Sequence, residues 1–212
     1  MSRDWIEWHE QYDDPTSSLS RRLATVGEMI RGTLDAAPAG PIRVLSLCAG
    51  DGRDLALGAA GHARAANVEG RLVELDPKLA AQAASNVSTV STGLTVLCAD
   101  AAETAGYVDA LPVDLPLLCG IFGNVGLDDI ARTVAAVPTM CNVGATVIWT
   151  RHRRPPDQTP TIRRWFDDAG CRSASIVSPG EGRFAVGCER VGRATARAAL
   201  PARLFTFRDD LW

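Results

Sequence analysis

The chain has 212 residues, 46% of them hydrophobic and 22% charged, with a formal net charge of -3. That describes one soluble globular domain with small additions, long enough to bury a sizeable core. The charge balance argues against a nucleic-acid partner, and no apolar run is long enough to read as a membrane span.

Residues 1–17 carry tryptophans, acids and a proline without a clean period. Ser18 or Ser20 then caps a predicted helix through Ala37, with Leu23, Val26, Met29, Ile30 and Leu34 near one face. Pro38-Ala39-Gly40-Pro41 breaks it. From there strands and helices alternate. Predicted strands cover Arg43 to Leu47, Gly70 to Leu75, Leu94 to Cys98, Leu115 to Cys119 and Gly144 to Thr150. Helices are expected over Asp54 to Ala66, Pro77 to Ser88 and Leu127 to Val137. Pro77 suits a first helical position, and Asp128 and Asp129 suit a positive helix end. A further helix, Thr161 to Ala169, stops at Gly170. Two last strands, Ser173 to Val177 and Phe184 to Glu189, are joined by a Gly/Pro link too short for a helical crossover, which implies an antiparallel hairpin. Residues 192–212 are rich in Arg and Ala, and LFTF within them suits a short strand or a docked tail.

This order implies an α/β fold: a doubly wound, Rossmann-like, seven-stranded sheet, mostly parallel, with an antiparallel C-terminal hairpin and helices on both faces. Three parts are expected: a lid segment and helix (1–40), a ligand-binding domain (41–191) and a tail packed on it (192–212).

Such a sheet binds ligands beyond the carboxyl ends of its strands. The first strand runs into LSLCAGDGRD (45–54), where Gly50 and Gly52 permit backbone angles barred to other residues and let a ligand approach the main chain. A dinucleotide turn wants a third glycine, and Leu55 stands in its place. Glu74 closes the second strand in RLVELDP, where a carboxylate can accept two hydrogen bonds from a ribose diol. Asp76 fits better as the cap of the next helix. Asp100 follows the third strand. It can accept a hydrogen bond from an adenine amine, with the Ala101 N–H facing a ring nitrogen.

Over residues 42–190 the sequence resembles the class I S-adenosylmethionine-dependent methyltransferases. VLSLCAGDG (Val44–Gly52) is similar to the first motif of that family, Glu74 in VELDP to its ribose acid, and Asp100 to its adenine-side acid. The terminal hairpin looks like the antiparallel strands that separate this family from nicotinamide-binding folds. The resemblance implies S-adenosyl-L-methionine as cofactor, held by Ala49, Gly50, Asp51, Gly52, Glu74, Leu75, Asp100 and Ala101, with Gly120 facing the methionine portion. Tyr12, in a lid formed with Trp5, Trp8 and His9, would close on the methionine end. Two positions depart from the motif: Ser46 replaces its acid and Cys48 its first glycine. Asp51, Arg53 or an N-terminal residue would have to compensate.

Methyl transfer requires mainly alignment. Asn124, at the end of the fourth strand, can contact an acceptor or cap the following helix. His152, just after the fifth strand, can act as a base at neutral pH. Ile121 and Phe122 suit either an acceptor pocket or the core, and His62 suits the surface. The expected activity is methyl transfer to a small-molecule acceptor, with no nucleic acid and no membrane as partner. The alternatives are a nicotinamide-dependent oxidoreductase, for which Lys78 is the single lysine, and an inactive S-adenosylmethionine-binding module. The six cysteines form no C-x-x-C pair, so no metal site is expected. Most of them read as small buried thiols, and the polar N-terminus suggests a reducing cytoplasm. The acceptor, the methylated atom and the oligomeric state stay open.

Overall fold

The computed structural model describes residues 12, 14–179, 182–192 and 199–208. The expectations for Trp5, Trp8 and His9, and for part of the tail, lie outside them.

Seven strands form one sheet: β1 (Ile42–Leu47), β2 (Val68–Glu74), β3 (Leu94–Cys98), β4 (Leu115–Leu118), β5 (Thr146–His152), β6 (Cys171–Val177) and β7 (Phe184–Val191). Their order is β3-β2-β1-β4-β5-β7-β6. The first five run parallel, and β7 is antiparallel to both β5 and β6. The expected hairpin is therefore present, with β7 inserted between β5 and its own partner.

Alternation along the strands feeds two cores. Ile42 and Val44 pack with α1 (Ser18–Ala36), α2 (Arg53–Ala59) and Val87 of α3 (Pro77–Ser88). Leu45 and Leu47 face the opposite core, with α4 (Leu127–Met140), α5 (Thr159–Asp168) and the tail residues Leu204 and Phe205.

Local chemistry sets the boundaries. Ser17, rather than Ser18 or Ser20, caps α1 by accepting the Ser20 N–H at 3.0 Å. Asp76 caps α3 as expected, taking the N–H groups of Lys78 and Leu79. The helix expected to reach Ala66 ends at Ala59, because Gly61 turns left-handed at φ 64°. His62 is not a surface residue there. Its ring accepts the Arg64 N–H and bonds Asp35 at 2.9 Å, tying α1 to this turn. Gly144 belongs to a turn at φ 84°, so β5 begins at Thr146 and ends on His152 instead of stopping before it. All six cysteines are unbonded. Cys98 is exposed rather than buried, because β3 is an edge strand.

Candidate active site

The first turn folds sharply back on the sheet. Ala49 donates to the Val73 carbonyl at 3.0 Å, which pins the tip of β1 to that of β2. Gly50 and Gly52 have φ of 57° and 70°. Gly52 meets a second constraint, since a Cβ there would lie 3.1 Å from Leu72 and 3.2 Å from Val87. Cys48 is left-handed too, at φ 53°, in the position where the resemblance leads one to expect glycine. A side chain in that region is strained, a feature that clusters at ligand sites. Burial, then the Glu74 and Asp100 charges, push its thiol well above the ordinary range, so it is not a thiolate nucleophile.

The Glu74 carboxylate joins two loop tips. One oxygen accepts the Gly50 N–H at 2.7 Å and the other the Asp76 N–H at 2.9 Å. Each oxygen keeps a second lone pair for a ligand hydroxyl. Ala99 donates to the Glu74 carbonyl, so the tip of β3 lies alongside. Asp100 follows it, with one oxygen on the Ala102 N–H and the other 2.8 Å from Arg203 of the tail. Leu75 stands 66% exposed at this edge, an apolar surface next to the carboxylates, while Ala101 is buried.

On the other side of the glycine turn, Tyr12 packs beside two arginines. The Arg53 guanidinium lies 4.7 Å from its ring centroid and that of Arg22 5.8 Å. Arg22 also donates to the Tyr12 hydroxyl. Asp51 is 3% exposed and forms a close pair with Arg53 at 2.6 Å. Burial pushes the neighbouring Asp54 carboxyl up to about 6. Tyr12, Arg22 and Arg53 thus gather in one group, with Asp51 paired to Arg53.

Gly120, in the turn just past β4, has φ 77°, and a Cβ on it would meet nothing within 4 Å. It opens on a cleft of about 400 Å³ that also reaches Asn124 and His152. Asn124 donates to the Gly120 carbonyl, and its buried Oδ1 has no hydrogen-bond partner. It does not cap α4, whose cap is Gly126. Burial, then the charges of Arg151 and Arg154, hold the His152 imidazole below its ordinary value, so it is neutral at pH 7. Its Nδ1 accepts the Arg154 N–H, which places the proton on Nε2. Ile121 and Phe122 do not wall the cleft. Both are fully buried, and Phe122 packs on Trp149 with ring centroids 5.9 Å apart.

The structure therefore brings the predicted residues into two adjoining groups, one along the tips of β1 to β3 and one around Gly120. Sequence reasoning missed Arg22, Arg183, Phe184 and Arg203. Arg22 had a signal: it falls on the buried face of α1 with Leu19, Val26 and Ile30, an unusual place for an arginine. Arg203 had none, because its partner Asp100 is distant in sequence.

No protein-family model and no curated protein sequence matches the chain. Solved structures do. Magnesium protoporphyrin IX methyltransferase from Synechocystis PCC 6803, solved with bound S-adenosylmethionine, superposes with a TM-score of 0.69 at 13% identity, over 90% of this chain and 92% of that one. An O-methyltransferase family protein from Burkholderia thailandensis gives 0.62 at 14% identity; the match spans 82% of this chain and 56% of the longer relative. The [4+2]-cyclase SpnF gives 0.59 at 10% identity over 80% of each chain. With β7 inserted antiparallel beside β5, the loop tips carrying Glu74 and Asp100, and these superpositions, the chain has the fold of the class I S-adenosylmethionine-dependent methyltransferases.

Proposed function

We propose that the chain binds S-adenosylmethionine across the tips of β1, β2 and β3 and transfers its methyl group to a small molecule held beside Gly120. The observation that carries this reading is the Glu74 carboxylate, locked between the Gly50 and Asp76 amides with lone pairs to spare. The residues present fit the cofactor: a fixed carboxylate for a diol, a second acid for an amine, and an open left-handed glycine where a methionine chain needs room. When bound, the cofactor supplies a methyl group on a sulfonium, which is already a good leaving group.

The protein's share is then mostly geometry. Glu74 fixes the sugar, Asp100 the base, and Leu75 covers the apolar edge. Arg22 and Arg53 offer a carboxylate-binding pair in place of the motif acid. Tyr12 closes that end against water. Neutral His152 can take a proton from an acceptor O–H or N–H if its Nδ1 exchanges the Arg154 amide for that proton. Asn124, with its unused Oδ1, orients a donor group. A reducing cytoplasm suits six unbonded thiols.

Calorimetric titration with S-adenosylmethionine and S-adenosylhomocysteine tests the reading. One site is expected, with Glu74→Ala weakening it about tenfold or more, the scale of a lost charged hydrogen bond. No binding at millimolar ligand would end it.

A further inference from the structure

The cleft beside Gly120 is strongly cationic. Arg22, Arg151, Arg153, Arg154 and Arg183 all line it, and no aspartate or glutamate does among the described residues. This is not general basicity, since the whole chain carries a net charge of -3. Nor is it one basic run. Arg22 comes from α1, Arg151 from β5, Arg153 and Arg154 from the loop after it, and Arg183 from the approach to β7. Three separate parts of the chain converge here.

Arg153, Arg154 and Arg183 stand exposed at the rim, with Arg22 and Arg151 set deeper, so an anion entering the cleft meets guanidinium donors on several sides. Two acids lie near these arginines without lining the cleft: Asp157 engages Arg153 at 2.8 Å, and Asp54 interacts with Arg22. Arg22 is buried, and half-buried Arg151 donates one N–H to the Phe122 carbonyl while its Nε, itself buried, has no hydrogen-bond partner. The apolar side of the cleft is Leu19 and Phe184, and Arg22 stacks 5.3 Å from the Phe184 ring centroid.

We infer that this cleft holds a small organic acid, its carboxylate or phosphate gripped by Arg151, Arg153, Arg154 and Arg183 and its apolar body laid against Leu19 and Phe184. Guanidinium forks match either oxyanion in bidentate geometry. A volume of about 400 Å³ suits a small molecule rather than a polymer. That this acid is the methyl acceptor rests on the methyltransferase reading; its binding does not.

The test uses the purified full chain, with and without S-adenosylhomocysteine. Benzoate, phenyl phosphate and neutral benzamide are titrated by ligand-observed NMR. At least one of the two anions is expected to bind about tenfold more tightly than benzamide, and their ratio distinguishes carboxylate from phosphate. Arg154→Gln with Arg183→Gln should weaken that anion about tenfold and leave S-adenosylhomocysteine affinity within about twofold, while the double Lys variant retains part of the binding. Should the Gln pair fail to fold, the wild-type anion-to-benzamide ratio and the Lys variant decide. Equal binding of anions and benzamide, or no anion binding at millimolar concentration, overturns the inference. So does a short single-stranded RNA that binds more tightly than both anions through the same arginines. Failure of S-adenosylhomocysteine alone would sink the methyltransferase reading, and the cofactor-free arm would still decide the anion.

Discussion

Glu189 sits in the middle of β7 with its side chain fully buried, accepting a hydrogen bond from the Trp149 indole at 3.3 Å. Its second oxygen is buried without a partner. Burial pushes this carboxyl from 4.5 up to about 7, with Trp149 and Arg163 pulling the other way. The folded chain therefore keeps a proton that the unfolded chain releases. The stability tied to that proton is full below about pH 4.5 and is lost as the pH rises through about 7, by about 3 kcal/mol at most. Glu189→Gln should raise the urea midpoint at about pH 8 and leave it nearly unchanged at about pH 4. An equal shift at both would contradict the assignment. Gly52→Ala should cost about 1–3 kcal/mol, combining a left-handed φ with contacts to Leu72 and Val87, and urea unfolding reads it directly. At this scale the sequence was legible where a residue type is rare for its setting. Glu74 closing a strand and glycines after a strand are such cases. The buried state of Glu189 was not legible, because its partners lie on β5 and α5.

Trp149 of β5 stands directly opposite Gly187 of β7. A Cβ on Gly187 would fall 2.1 Å from the indole, so the glycine is what lets the largest side chain of the core enter the sheet. Gly187→Ala should destabilise by about 3 kcal/mol or more, the upper range for overpacking, and thermal melting would show it. A change under about 0.5 kcal/mol would mean the strands can part without cost. The tail is the second lesson at this scale. Leu204 and Phe205 are fully buried, and Thr206 donates to Asp129 at the start of α4. Phe205→Ala should therefore cost about 3–5 kcal/mol in chemical denaturation, far more than a loose terminus would. Helices α3 and α4 were legible from proline, acid and apolar period. The first-turn helix was overextended, because Gly61 and the His62 contacts end it through a partner on α1. The docking of the tail was visible only as an apolar run, and its destination depends on tertiary contacts.

Across the molecule, alternating strands and helices followed by a short hairpin link were enough to fix the sheet type. The short link and the resemblance gave an antiparallel hairpin, whereas the insertion of β7 between β5 and β6 was not legible from any strand pattern. The candidate edge was legible for the same reason: three consecutive tips carry a glycine turn and two acids, and parallel pairing places them side by side. The cationic cleft was not legible, because Arg22 and Arg183 reach it from opposite ends of the chain. Fold alone does not decide activity, as the cyclase with the same architecture makes plain. The most direct measurement is a crystal structure of the protein soaked with S-adenosylhomocysteine. The account predicts a nucleoside along the tips of β1 to β3, its ribose hydroxyls on Glu74, its adenine beside Asp100 and its amino-acid end between Gly120 and Arg22. A nucleoside seated elsewhere, or those tips unchanged and bare at saturating ligand, would contradict it.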